Sequence, residues 1–117
     1  MSAAVPPALF DEDSVQKYIL ISVSLGGATL LLVRGSAAAE YHNDVLEAAS
    51  PAILAALPGA AIAVLGGGRL AHDGPRANSL RLYGYSVAFG RAEHAVAAGI
   101  IEAAMPHLKV TWSNDGY

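Results

Sequence analysis

The sequence predicts an α+β domain, a single mixed β-sheet of six strands with two main helices. Three observations carry this. Aliphatic and β-branched runs of strand length recur along the chain, two stretches instead space their apolar residues as helices do, and glycine or proline breaks separate the segments. The order is β-β-α-β-β-β-α-β, and 117 residues suit one domain with one hydrophobic core.

Residues 1–14 contain Pro6-Pro7 and the acidic run Asp11-Glu12-Asp13 without periodicity. A flexible N-terminal arm is expected there, ahead of a domain over 15–117. Lys17–Leu25 forms the first strand, and Gly26-Gly27 returns it into Ala28–Val33. Arg34-Gly35-Ser36 breaks the strand and offers Ser36 as a helix cap, with helix from about Ala37. Tyr41, Val45, Ala49, Ile53 and Leu57 make its apolar stripe, and Ser50-Pro51 predicts a kinked or two-part helix.

Pro58-Gly59 ends that helix, and Ala60–Leu65 is the next strand. Arg69–Asp73 and Ser79–Tyr85 form a second hairpin around the turn at 74–78. The loop Ser86–Gly90 leads into a second helix over Arg91–Met105, stopped by Pro106. Lys109–Ser113 is the last strand.

Hydrophobic residues make up 54% of the chain, charged residues 15%, and the net charge is −3. Seven basic residues cannot form a nucleic-acid stripe but can line one anion pocket. The absence of cysteine excludes disulfides, thiolate chemistry and cysteine-ligated zinc, and the histidines show no zinc spacing. Tyr18–Val33 and Ala48–Gly68 carry no charge, but Gly26-Gly27 in the first and Pro51, Pro58-Gly59 and three glycines in the second argue against membrane spans.

Gly66-Gly67-Gly68-Arg69, with His72 beyond, combines flexible backbone, a guanidinium fork and a group that titrates near neutrality. It suits a small anion at the end of a strand, and equally a glycine-rich turn with a surface arginine. His42, early in the first helix, is kept neutral by the helix dipole as a base or nucleophile, or it is a structural histidine on a helix shoulder. His94 shares a stripe with Ala98, Ile101 and Met105 and reads as structural. Ser86–Gly90 runs into a helix N-terminus, so it is either an anion cradle or a plain connection.

Five blocks then come together in order: Lys17–Ile21; Glu40-Tyr41-His42; Leu65–Arg69 with His72; Tyr83–Gly90 with His94; and Val110–Tyr117, whose Trp-x-Asn-Asp-Gly-Tyr is the most distinctive. Together they resemble the protein histidine phosphatase family, also called janus/ocnus. The resemblance implies a small cytoplasmic, monomeric enzyme that needs no metal or other cofactor. It would hydrolyse the N–P bond of phosphohistidine in proteins, releasing inorganic phosphate, with no nucleic-acid or membrane partner. It places the catalytic histidine on His42, as general base or nucleophile, and phosphate binding on the backbone of Ser86 and Ala88 and the Ser86 hydroxyl. Lys17, Arg34 and Arg69 match basic residues around the pocket, and Tyr41 and His72 match neighbouring positions. Ser36-Ala37-Ala38-Ala39 departs from the bulkier residues that family members often carry there. A phosphohistidine-binding adaptor without turnover is the alternative reading.

Overall fold

The computed structural model describes residues 5–12, 14–72 and 78–115. Among them are strands β1 (Ala8–Leu9), β2 (Ser14–Leu25), β3 (Ala28–Ser36), β4 (Ala61–His72), β5 (Ser79–Tyr83) and β6 (Lys109–Trp112). Helices α1 (His42–Ala56) and α2 (His94–Ala104) complete the α+β domain. The sheet order is β1-β3-β2-β4-β5-β6. It is mixed because the two edge strands, β1 and β6, pair in parallel while the inner four are antiparallel.

The sheet has six strands as expected, but their membership differs. The predicted strands Ala60–Leu65 and Arg69–Asp73 are one continuous strand, β4, running through the three glycines. The glycines do not turn the chain. They sit where other backbone presses against the strand. A Cβ on Gly66 would stand 2.7 Å from the backbone of Arg91 and Ala92, and a register shift opposite Leu20 and Ile21 absorbs the extra residue. The sixth strand comes from residues 1–14, where Ala8–Leu9 pairs with Val33–Arg34 and Val5 and Ala8 are buried. Asp13, residues 73–77, which hold the end of one expected strand and most of the turn expected at 74–78, and the closing Gly116-Tyr117 lie outside the described residues.

The first helix also starts later than Ser36 suggests. Ser36 continues the β3 ladder opposite Lys17, so its backbone is already paired. Tyr41 takes the N-cap position instead, and the Asp44 carboxylate accepts the Tyr41 N–H at 2.8 Å. One helix runs through Pro51 to Ala56, and the Ser50 hydroxyl donates to the Leu46 carbonyl at 2.7 Å.

Register partners in adjacent antiparallel strands share a sheet face. One face carries Ile19, Leu32 and Val23 under Val45 and Ile53 of α1, and the other carries Tyr18, Leu70, Leu80 and Leu82 under Ala97 and Ile101 of α2. The sheet is therefore covered on both sides. The charge-free stretch Tyr18–Val33 is accounted for by the β2–β3 hairpin. No described helix is long and apolar enough to cross a membrane.

Gly68→Ala is expected to destabilise the protein by about 1–3 kcal/mol through overpacking, because the new Cβ would lie 2.5 Å from the Tyr83 carbonyl oxygen and 2.7 Å from the His94 ring. Gly99→Ala, facing open space on α2, is expected to stabilise by about 0.5–1 kcal/mol. Urea unfolding at unchanged m-value checks both, and an unaltered midpoint for Gly68→Ala would contradict the packing described.

Candidate active site

His42 is the first residue of α1 and is 5% exposed. Its Nε2 lies 2.9 Å from the Gly68 carbonyl oxygen. A carbonyl can only accept, so Nε2 carries the proton and Nδ1 holds the lone pair. Gly67 makes the approach possible, since a Cβ there would stand 2.8 Å from the His42 ring. Burial holds the His42 pKa below the ordinary histidine value. The bond to Gly68 opposes this, and the positive charges of Lys17 and Arg69 add to it. The imidazole is therefore neutral at pH 7, with Nδ1 available to take a proton or to attack an electrophile.

The pocket beside it has a volume of about 510 Å³. Lys17, half-buried on β2, forms one wall, and Glu40, Tyr41 and Asn43 surround the helix start. Ser86, Val87 and Ala88 form the opposite wall. That loop is pinned at both ends. Gly90 donates to the Ser86 carbonyl at 2.8 Å, and Gly67 donates to Gly90 and accepts from Ala92, both at 3.0 Å. The Ser86 amide donates to Gly90 at 3.1 Å, and the Ser86 Oγ accepts from Phe89 at 3.0 Å. The Ser86 hydroxyl proton and the amides of Val87 and Ala88 remain as donors for a ligand, with no acceptor among the described residues. The Ser86 backbone N–H, expected to hold phosphate, is committed to the turn. The Val87 amide joins the donors in its place, because the Ser86–Gly90 pairing and the Phe89 bond to Ser86 Oγ leave the amides of Val87 and Ala88 without an acceptor among the described residues.

The sequence-predicted residues are only partly brought together. Lys17, Tyr41, His42, Ser86 and Ala88 line the pocket. Arg69 is the register partner of Lys17 on the α1 face and acts on His42 through its charge. Arg34 shares that face but lines a separate cleft. His72 is not at the pocket. It pairs with Leu80 on the α2 face, buried and edge-on to Phe10 with ring centroids 6.0 Å apart. Two residues of one strand that are three apart point to opposite faces, so the parity of Arg69 and His72 already separated them. His94 is structural as expected: its Nε2–H donates to the Gly84 carbonyl at 2.9 Å, and its Nδ1 accepts from the Tyr18 hydroxyl.

The sequence model of the Janus/Ocnus family matches residues 2–109. The chain belongs to the Janus/Ocnus family. The match includes the N-terminal residues that supply β1 and stops before the closing Trp-x-Asn-Asp-Gly-Tyr. Among curated relatives, the chain is 38% identical to a human protein named 14 kDa phosphohistidine phosphatase, over 98% of this chain and 95% of that one. A pig protein of the same name is 36% identical over 98% and 94%. The sex-regulated protein janus-A of Drosophila pseudoobscura pseudoobscura is 34% identical over 98% of this chain and 79% of its own length. The relatives thus include proteins named for an activity and proteins named as sex-regulated.

Burial depresses the pKa values of both His42 and His94 below the ordinary 6.5. Between those values and 6.5 the unfolded chain binds more protons than the folded one, so stability rises with pH across that window. The contribution is complete above about pH 6.5 and is lost as pH falls through the depressed values. Urea midpoints are expected to fall between about pH 7.5 and pH 5.5, with a smaller fall for His42→Gln. A pH-independent midpoint would contradict the neutral, buried imidazoles.

Proposed function

We propose that this chain is a metal-independent protein phosphohistidine phosphatase in which His42 Nδ1 is the general base. The reading rests on one observation: the Gly68 carbonyl fixes the Nε2–H tautomer and leaves a neutral Nδ1 beside a pocket that also presents the Lys17 ammonium, the Ser86 hydroxyl and the Val87 and Ala88 amides as donors. The names of the human and pig relatives supply the substrate class.

The N–P bond of phosphohistidine is labile, so the protein has mainly to position and stabilise. The Lys17 ammonium, the Ser86 hydroxyl and the amides of Val87 and Ala88 would hold the phosphoryl oxygens, and each charge-assisted bond contributes about 1.5–3 kcal/mol. Nδ1 takes a proton from water as the water oxygen bonds to phosphorus. The N–P bond breaks, its electron pair goes to the substrate imidazole, and that nitrogen takes up the proton that water gave to Nδ1, relayed through solvent, which returns His42 to its neutral form. The products are inorganic phosphate and an unmodified histidine. Burial, helped by the charges of Lys17 and Arg69, keeps His42 neutral while the donor set neutralises the phosphoryl group, so no metal is needed for the same task. Tyr41, 65% exposed, and Val87, 82% exposed, stand at the rim as contacts for the protein that carries the phosphohistidine. A monomer working in the cytoplasm fits this reading.

The test is phosphate release from a phosphohistidine peptide. His42→Gln can keep a donor near Gly68 but has no titrating nitrogen. It is expected to fold and to lose about 10²–10⁴-fold in kcat, while EDTA leaves the wild-type rate unchanged. Equal rates for wild type and variant would remove His42 from the chemistry, and tight phosphopeptide binding without turnover by either would favour an adaptor. Recovery of phosphate on His42 from quenched turnover would replace the general-base step by attack of Nδ1 on phosphorus.

A further inference from the structure

A second cavity, about 350 Å³, lies between the N-terminal segment, the end of β3 and the middle of α1. Its walls are mostly apolar, with Leu9 and Phe10 on one side and Ala48, Ala49, Ala52 and Ile53 on the other. Arg34 also lines it. That arginine is only 5% exposed, and burial pushes its pKa down. Its guanidinium makes one hydrogen bond, Nη1 to the Val33 carbonyl at 2.9 Å, of the five that its N–H groups allow. Asp11 lines the same cavity, but its Oδ2 accepts the Ala37 amide at 2.7 Å. Arg34 is therefore a largely buried cation with donors to spare and no ion pair among the described residues.

The guanidinium nitrogens left over open onto the cleft, where an anion can pair with them. The lining also indicates which anion. One buried positive charge balances one negative charge, and the Asp11 carboxylate nearby disfavours a dianion such as phosphate. The apolar walls require a hydrocarbon body behind the charged head, and a planar carboxylate matches the guanidinium fork in two-point contact. We propose that this cavity is a binding site for a small amphipathic monocarboxylate, its carboxylate on Arg34 and its hydrocarbon chain along Ala48, Ala52 and Leu9. The site is separate from the His42 pocket, and the proposal stands whether or not the chain is a phosphatase.

Sodium octanoate is the probe, octan-1-ol its uncharged counterpart, and amide NMR shifts are the readout. Octanoate is expected to shift Gly35, Ser36, Ala48 and Ala52 saturably, and octan-1-ol to bind at least about tenfold more weakly, the worth of one charge-assisted hydrogen bond. Arg34→Met should weaken octanoate by a similar factor and raise the Tm, since it removes an unpaired buried charge. Ala52→Trp, at an exposed position of α1, should fill the cleft and abolish binding while the fold persists. The proposal is overturned if no saturable shift occurs, if octanoate and octan-1-ol bind equally, if Ala52→Trp binds like wild type, or if the shifts centre on Lys17 and Ser86.

Discussion

Successive residues of a β-strand face opposite sides of their sheet, and at Gly67 and Gly68 both sides are already taken. A side chain on Gly67 would meet the ring of His42, and one on Gly68 would meet the ring of His94. Each histidine opens one of the two helices, so these adjacent glycines let both helix starts close onto the same point of β4. Gly67 also ties the Ser86–Gly90 loop to the strand through its own N–H and C=O, and the Gly68 carbonyl orients His42. The candidate site, the loop opposite it and the packing of both faces depend on backbone that carries no side chain there.

The two histidines begin in equivalent positions, and one hydrogen bond separates their surroundings. His94 donates from Nε2 to Gly84 and accepts at Nδ1 from Tyr18, so both nitrogens are occupied. His42 donates from Nε2 to Gly68, and among the described residues none donates to its Nδ1. Buried and neutral, each ring would serve equally well as packing. What makes His42 a candidate for chemistry is the open nitrogen together with the uncommitted donors of the 86–88 loop.

Much of the fold was legible because its strands are aliphatic and the glycine pair at 26–27 has one use. The glycines at 66–68 misled for a physical reason. Glycine serves a turn and a close backbone approach equally, and only three-dimensional contact tells the two uses apart. Ser36 likewise has the chemistry of a cap, but the ladder to Lys17 holds its backbone first. At the site, residue types alone left His42 with two readings, and the resemblance singled it out. Which of its nitrogens is open depends on a carbonyl 26 residues away, and no local pattern encodes that. The separation of His72 from the pocket could have been read from strand parity. The separation of Arg34 could not, because it depends on how α1 and the N-terminal segment close over the edge of β3.

The proposed chemistry depends on the protonation of one ring, that of His42, and ¹⁵N NMR of the histidine side chains reads it directly. At pH 7 His42 should show a protonated Nε2 coupled to its ring protons and an unprotonated Nδ1, with the added proton appearing only below the ordinary histidine value. A protonated Nδ1 with a bare Nε2, or an imidazolium at pH 7, would contradict it.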